Sequence, residues 1–331
     1  MIVLAVPRAT RRQGEGRPMR APHPLDGQGF VLNVFKESPW TSHDAVQRVR
    51  RILHYRRVGH TGTLDPFATG VLLCCVGRAT KLSNYLMELP KRYEGALRFG
   101  VRTDTGDSSG TVTREWDLPV PPLERLAAVA GDFEGEILQT PPMVSALKHQ
   151  GERLYRLARR GITVERQPRR VRVDEFAILG VTGERVHFRV RCARGTYVRT
   201  LVEDFGEALG AGACVENLCR TAVGHFAVRD AVRLEESLAA ETLRDRAVSM
   251  ADALAHLPAW VLPPFWVTKL RQGSPPPWVV IEMEAPPEEG SIGRLVGEQG
   301  DLLALGRAVA VPGPADRAWQ DRLRLELLRV I

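Results

Sequence analysis

The pattern of apolar and polar positions picks out a handful of elements. Phe30 to Phe35 (FVLNVF) is a short apolar run and predicts a strand. After Thr41-Ser42, the apolar residues Ala45, Val46, Val49, Ile52 and Leu53 recur at helical spacing, with Arg48, Arg50 and Arg51 on the other face. A hydroxyl pair directly before such a run predicts a capped helix. Val58 to Gly70 (VGHTGTLDPFATG) holds three glycines and one proline, and reads as an ordered loop because it leads straight into the apolar strand Val71 to Val76. Arg92 to Val101 alternates like a strand, and Leu126 to Val129 and Leu154 to Arg160 read as helix. Arg170 to Val181 and Arg185 to Cys192 read as strands paired around Thr182-Gly183, and Tyr197 to Leu209 as an amphipathic helix. Strands and helices mix without regular β-α-β alternation, which predicts an α+β fold rather than a doubly wound sheet.

The two ends of the chain differ from this middle. Residues 1–28 are rich in Arg, Pro and Gly without periodicity and read as a disordered basic arm. Pro258 to Pro287 holds eight of the 23 prolines, and four of the six tryptophans lie at 260 or later. Short strand-like pieces follow at Val279 to Met283, Ser291 to Val296 and Leu302 to Leu305. The division expected is therefore an arm over 1–28, a main domain over 29–257 and a small β-rich domain over 258–331.

Charge narrows the class. The 331 residues carry 46 basic and 39 acidic side chains, a net of +7, with 44% hydrophobic residues, as in ordinary globular proteins. The excess is not spread evenly: residues 258–331 are net −1, so residues 1–257 are net +8. Arg153 to Arg172 alone holds eight arginines against one acid, Glu165. A block this basic suits an anionic partner. No apolar run approaches the ~18 residues of a membrane span. The N-terminus is apolar first and basic second, the reverse of a secretory signal, so a cytoplasmic protein is expected. The five cysteines form no C-x-x-C pair, which speaks against a disulfide framework or a structural zinc site.

In this basic region a single acid stands alone. From Ala45 to Met87 the sole carboxylate is Asp65, among seven Arg and Lys. Such a segment fits the phosphates of nucleic acid. Asp65 sits between glycines and directly before Pro66, on what must be a stiff turn. Asp-Pro is also the ordinary signature of an Asx turn. Only five of the basic residues are lysine, at 36, 81, 91, 148 and 269. In a chain so biased to Arg, each is a place where a compact ammonium is wanted.

The segment Gly59-His60-Thr61-Gly62-Thr63-Leu64-Asp65-Pro66-Phe67-Ala68-Thr69-Gly70-Val71-Leu72 resembles, nearly residue for residue, the catalytic motif of the TruB family, the bacterial tRNA pseudouridine synthases. Further blocks follow in the family's order: Lys36 with Trp40 to Asp44, Lys91-Arg92-Tyr93, Thr103 to Gly110, Gln139 to Lys148, Arg194 to Leu201 and Leu218 to Phe226. The resemblance covers roughly residues 29–257, and the tail resembles a PUA domain more loosely. Glu37, Val144 and His225 depart from the family pattern.

The resemblance implies a pseudouridine synthase fold, a mixed and mainly antiparallel sheet flanked by helices, followed by a small C-terminal β-rich PUA-like domain. It implies isomerisation of uridine to pseudouridine at position 55 in the T-loop of tRNA, with no cofactor and no metal. The expected partner is tRNA through its T-arm, bound by a monomer that needs no protein partner. Asp65 is then the catalytic carboxylate, Arg199 the cation that keeps it ionised, and Tyr93 the residue that stacks on the detached uracil. His60 fills the gap left by the flipped uridine, and Lys36, Tyr197 and Leu218 complete the substrate site.

Overall fold

The computed structural model describes residues 29–235, 238–312 and 317–331. The arm expected over residues 1–28 lies outside the described residues. The first strand, β1 (Phe30–Lys36), is buried on both faces. Phe30, Leu32 and Val34 meet Ala45, Val46, Val49 and Leu53 of helix α1 (Ser42–Leu53), while Val31 faces the opposite cluster. Thr41 caps α1 through a capping box. Its hydroxyl accepts from the Asp44 amide at 3.1 Å, and the Asp44 carboxylate accepts from the Thr41 amide at 2.8 Å.

Residues 58–70 are not loop throughout. Val58–His60 forms a short strand, β2, antiparallel to β3 (Thr69–Val76), with His60 opposite Cys74. Three residues are too few to show an alternation in sequence; pairing with β3 makes the strand. Then come α2 (Ser83–Glu88), β4 (Lys91–Phe99), α3 (Leu123–Gly131), β5 (Gly135–Gln139) and α4 (Leu154–Arg159). The domain closes with β6 (Arg169–Thr182), β7 (Arg185–Cys192), α5 (Val198–Ala208) and β8 (Ala213–Val223). The main sheet has ten strands and runs from a two-residue strand at Val232–Arg233 through β1, β3, β8, β4, β7, β6 and β5. Among the described residues only β3 with β8 and β1 with Val232–Arg233 pair parallel in this sheet; the rest is antiparallel. The fold is thus α+β on a mixed, mainly antiparallel sheet. Helices α3 and α5 pack Leu126, Leu201, Val202 and Phe205 over Leu97, Phe188 and Val215.

β8 is the central strand and was not legible as one. It is seated between two glycines: a Cβ at Gly70 would lie 2.3 Å from the Arg220 carbonyl oxygen, and one at Gly95 2.3 Å from that of Asn217. Gly70 also holds φ +104°, which side chains rarely adopt. These close approaches bring Leu218 and Arg220 up to the Asp65 loop.

The tail forms a four-stranded sheet from β9 (Ala259–Leu262), β10 (Ile292–Gly297), β11 (Leu302–Ala310) and β12 (Leu323–Val330). The β-rich expectation holds, with one of its strands wrong. Val279 to Met283 is no strand: Trp278–Val280 turns as a 3-10 helix behind Pro275-Pro276-Pro277, and only Glu282 bridges to Val261. The β-rich reading also misses α6 (Pro264–Arg271), whose Pro264 sits in the first turn, where a missing N–H costs nothing. Trp260 and Trp278 pack edge to face at 5.0 Å inside the tail. Val296, Leu302 and Leu305 instead share one buried cluster with Val31, Leu73, Phe226 and Leu254. Arg294 ties the tail to the main domain further, donating to the carbonyls of Ala251 at 2.9 Å and Leu257 at 3.1 Å. Among the described residues no helix is long and apolar enough to cross a membrane.

Candidate active site

The site is built on the connection between β2 and β3. Three buried side chains hold that connection by its backbone. The Ser42 hydroxyl accepts from the Leu64 amide at 2.8 Å and donates to the Leu64 carbonyl at 3.1 Å. Lys36, 0% exposed, donates to the carbonyls of Trp40 at 2.6 Å, Glu37 at 3.0 Å and Pro66 at 3.1 Å. Arg220 donates to Val71 at 2.7 Å, Gly62 at 3.1 Å and Thr63 at 3.5 Å. The Ala68 amide closes a turn onto the Asp65 carbonyl at 3.1 Å. Asp65 is therefore presented by a loop clamped on both sides.

Its carboxylate meets Arg199, in the first turn of α5. The guanidinium donates to Asp65 twice, from Nε at 2.8 Å and from Nη2 at 3.1 Å. This fork is the strong, directional form of an ion pair. Arg199 is 2% exposed, and its remaining donors reach the carbonyls of Thr105 at 2.7 Å and Val144 at 2.8 Å. A second carboxylate, Asp107, lies 3.7 Å from Nη1. Because Val144 contributes its backbone, its departure from the family pattern leaves this contact intact. Burial lifts the Asp65 carboxyl above the ordinary carboxylate value; Arg199 works against that lift, by its charge and by its hydrogen bonds.

A cavity of about 360 Å³ opens over Asp65. Asp65, Tyr93, Arg199, Tyr197 and Leu218 all line it, and so do Lys91 and Arg220. Burial pushes the Tyr93 hydroxyl up, and the Arg220 guanidinium against it pulls the other way. Tyr197 precedes α5 and is fixed by a reciprocal pair: its amide donates to Gln139 Oε1 at 2.7 Å and its carbonyl accepts from Gln139 Nε2 at 3.1 Å. Burial likewise raises its hydroxyl, and Ser145 nearby works against that rise.

Two expected substrate residues stand elsewhere. Lys36 does not line the cavity: its three protons go to the carbonyls of Glu37, Trp40 and Pro66, so it props the loop from beneath. His60 lies on β2, also outside the lining. Its Nδ1 accepts from the Gly62 amide at 3.4 Å, and burial, with Arg220 nearby, pushes the ring below the usual histidine range. Conversely, Arg220 and Lys91 belong to the site and were not singled out as site residues. Their signal was present: both fall in the blocks of the family pattern, and Lys91 is one of the few lysines. Among the described residues no cluster of three His, Cys, Asp or Glu is placed to hold a metal ion.

A mixed sheet presenting an arginine-gripped aspartate to a cavity walled by tyrosine is the plan of a pseudouridylate synthase. Residues 50–198 match the N-terminal domain of TruB family pseudouridylate synthases, and residues 199–263 match the C-terminal domain of tRNA pseudouridylate synthase B. The chain belongs to the TruB family. It is 45% identical over 245 residues to tRNA pseudouridine synthase B of Azoarcus sp. (strain BH72), covering 73% of this chain and 81% of that one. It is 42% identical over 287 residues to the Moorella thermoacetica protein of the same name, covering 84% and 93%. Among solved structures it resembles a Cbf5-Nop10-Gar1 complex, with TM-score 0.71 and 26% identity over 96% of this chain and 92% of that one. The archaeal box H/ACA sRNP Nop10-Cbf5 complex gives TM-score 0.69 and 26% identity, over 96% and 93%.

Proposed function

We propose that the protein isomerises uridine to pseudouridine at position 55 in the T-loop of tRNAs. The observation that carries this reading is the forked Asp65–Arg199 pair, set in the wall of a cavity that Tyr93 also lines. The reaction breaks the C1′–N1 bond and makes a C1′–C5 bond. Asp65 begins it, by adding to the base, attacking the sugar or removing a sugar proton. A carboxylate suits any of these, since it can attack and later leave. Arg199 fixes its direction, and the raised proton affinity that burial gives it makes it a better nucleophile or base than an exposed carboxylate.

The target uridine must leave the T-loop stack to reach Asp65. A His60 ring kept neutral by burial is suited to fill the space it vacates. Tyr93 stacks on the detached uracil, with its hydroxyl holding or passing a proton. Tyr197 and Leu218 supply the rest of the wall, and Lys36 supports Asp65 from below. The substrate is tRNA through its T-arm, bound by one copy of the chain, and the reading needs neither cofactor nor protein partner.

The test is tritium release from tRNA labelled at uridine C5, because the new bond expels that hydrogen. Release is expected from wild-type tRNA and not from tRNA carrying cytidine at position 55. No release from either would leave an RNA-binding protein without this chemistry, and equal release from both would move the target elsewhere.

A further inference from the structure

The cavity wall holds more positive charge than the Asp65 pair uses. Lys91 and Tyr93, two apart on β4, point to one face of the sheet. The register that sets Arg220 opposite Tyr93 and Leu218 opposite Gly95 brings β8 to the same face. Arg199 is matched by Asp65 and Asp107. Arg220 is not: its bonds go to three backbone carbonyls, and among the described residues no carboxylate pairs with it. Lys91 is 7% exposed, and the Met87 carbonyl accepts one of its three protons. Glu88, whose charge acts on Lys91, is itself held by Arg194. Buried cations are ordinarily paired, since an unpaired one is costly. Burial, and then Arg220, push Lys91 down to about 8, so it still carries its proton at neutral pH. Two unmatched cations in one wall of a substrate cavity are a field set for an anion.

Resting on the isomerase reading above, the reaction supplies that anion. Heterolysis of C1′–N1 leaves the bonding pair on N1, and the negative charge spreads over O2 and O4 of the ring. If Asp65 instead adds first at C6, the displaced pair runs through C5 and C4 to O4. Every route therefore puts negative charge on the ring before C1′–C5 forms. The ring's pair then makes that bond, the C5 hydrogen leaves as a proton and N1 takes one up, so the ring ends neutral. We propose that Lys91, backed by Arg220, is a further catalytic residue that stabilises the negative charge on the uracil ring while the glycosidic bond is broken. Fixed donors aimed at developing charge in a site that excludes water are among the largest contributors to rate.

The test compares uridine with 5-fluorouridine at the target position, in single turnover with the full-length enzyme. Fluorine withdraws electrons and makes the ring a better anion, so it needs less help from the protein. Loss of the starting nucleotide is followed by digestion and chromatography, because the fluorinated ring has no C5 hydrogen to count. Lys91→Met is expected to slow uridine by about 100-fold, the size of losing one such donor, and to slow 5-fluorouridine at least tenfold less. Lys91→Arg, which keeps the charge, should be at least tenfold faster on uridine than Lys91→Met. Equal losses on the two substrates, or Arg and Met variants equally slow, would reduce Lys91 to packing and overturn the proposal. If Lys91→Met fails a thermal-melt check of folding, Lys91→Gln takes its place in the same comparison. Absence of C5 tritium release by the wild type would overturn the isomerase reading and this proposal with it. Release by the wild type, with equal losses in the variants, would overturn this proposal alone.

Discussion

Ser42, the first residue of α1, exchanges two hydrogen bonds with Leu64: its hydroxyl accepts from the Leu64 amide at 2.8 Å and donates to the Leu64 carbonyl at 3.1 Å. One side chain thus satisfies both backbone groups of the residue before Asp65, and does so at 3% exposure, where water cannot take its place. Ser42→Ala leaves both groups buried and unpaired, at about 1–3 kcal/mol each. The expected result is a less stable protein whose single-turnover rate falls more than its tRNA affinity, because the loop carries the carboxylate and not the phosphate contacts. A melt and a turnover measurement check it; a variant that is destabilised yet fully active would show that the loop is held well enough without Ser42.

Asp65→Asn should abolish C5 tritium release and leave tRNA binding within a few-fold. The change removes the reacting group and no cation. Residual turnover above about 1% of wild type would be too much for loss of an essential group, since even one acid–base helper is worth 10²–10⁴-fold. In the wild type the acid limb of the rate should lie above the ordinary carboxylate range, because the reacting form is the carboxylate and burial has raised its proton affinity. Arg199→Lys, which loses the fork, should move that limb to still higher pH.

Lys36 links loop anchoring to pH. Burial brings it from 10.5 down to about 8, and the folded protein therefore binds fewer protons than the unfolded chain between those values. The penalty for burying the charge is complete below about 8 and is relieved as pH rises toward 10.5. Wild type should accordingly gain stability relative to Lys36→Met across that window, by roughly 3 kcal/mol at 1.4 per pKa unit. Lys91 shifts in the same direction in both proteins and cancels in the difference. Urea denaturation at several pH values measures it, and a flat difference would mean that Lys36 titrates normally.

How far the site could be read in advance depended on what held each residue. Asp65 was legible because a lone acid in an arginine-rich segment, between glycines and before Pro66, marks itself. Arg199, Tyr93, Tyr197 and Leu218 came with the blocks of the family pattern. That Lys36 would lie outside the cavity lining was not legible, because its partners are carbonyls of Glu37, Trp40 and Pro66, and no side-chain pattern records a backbone contact. Arg220 stood in a block of the family pattern, but its grip on Gly62, Thr63 and Val71 runs through their backbones and is visible only in the structure. β8 gave no alternation because it lies in mid-sheet between β3 and β4, with a bulge near Val215 that breaks its period. The departures at Glu37 and Val144 prove harmless to the site's geometry, as both contribute carbonyls there.

The arginine cluster does not act as eight equal charges. Arg160 is already paired with Glu152 at 2.7 Å, whereas Arg156 and Arg159 lean on the Tyr155 ring, 6.0 and 5.6 Å from its centroid. Binding to tRNA should be steeply salt-dependent, and Arg156→Gln with Arg159→Gln should flatten the log–log slope by roughly 0.7–0.9 for each phosphate left without its cation. Arg160→Gln should change it less. Filter binding between low and moderate salt decides this, and an unchanged slope in the double variant would mean that the cluster faces solvent only.

Deleting residues 258–331 tests how the tail is attached. From sequence alone, the Pro-rich join and the absence of chemistry beyond Phe226 suggest a unit that can be removed without cost to the main domain. The packing argues otherwise. Val296, Leu302 and Leu305 are buried against Leu254, Phe226 and Val223, and Leu254 and Leu305 are both 0% exposed. Removing the tail would bare that surface, and each side chain so uncovered forfeits about 1.5–3 kcal/mol. The hydrogen bonds from Arg294 to Ala251 and Leu257 would go as well, leaving the last turns before residue 258 without their partners. The truncated protein is therefore expected to melt well below the full chain or to fold only partly. Leu305→Asn in the full-length protein should reproduce some of that loss while the tail's own tryptophan core stays formed, because Leu305 lies in the shared cluster and Trp260 and Trp278 do not. The chemistry itself should survive in whatever fraction folds, since among the described residues none that lines the cavity lies beyond Arg220. Circular dichroism and a thermal melt report the first effect; single turnover at saturating enzyme, scaled to the folded fraction, reports the second. A truncated protein as stable as the full chain would show that the shared cluster contributes nothing, and a folded but inactive one would place some of the active site in the tail.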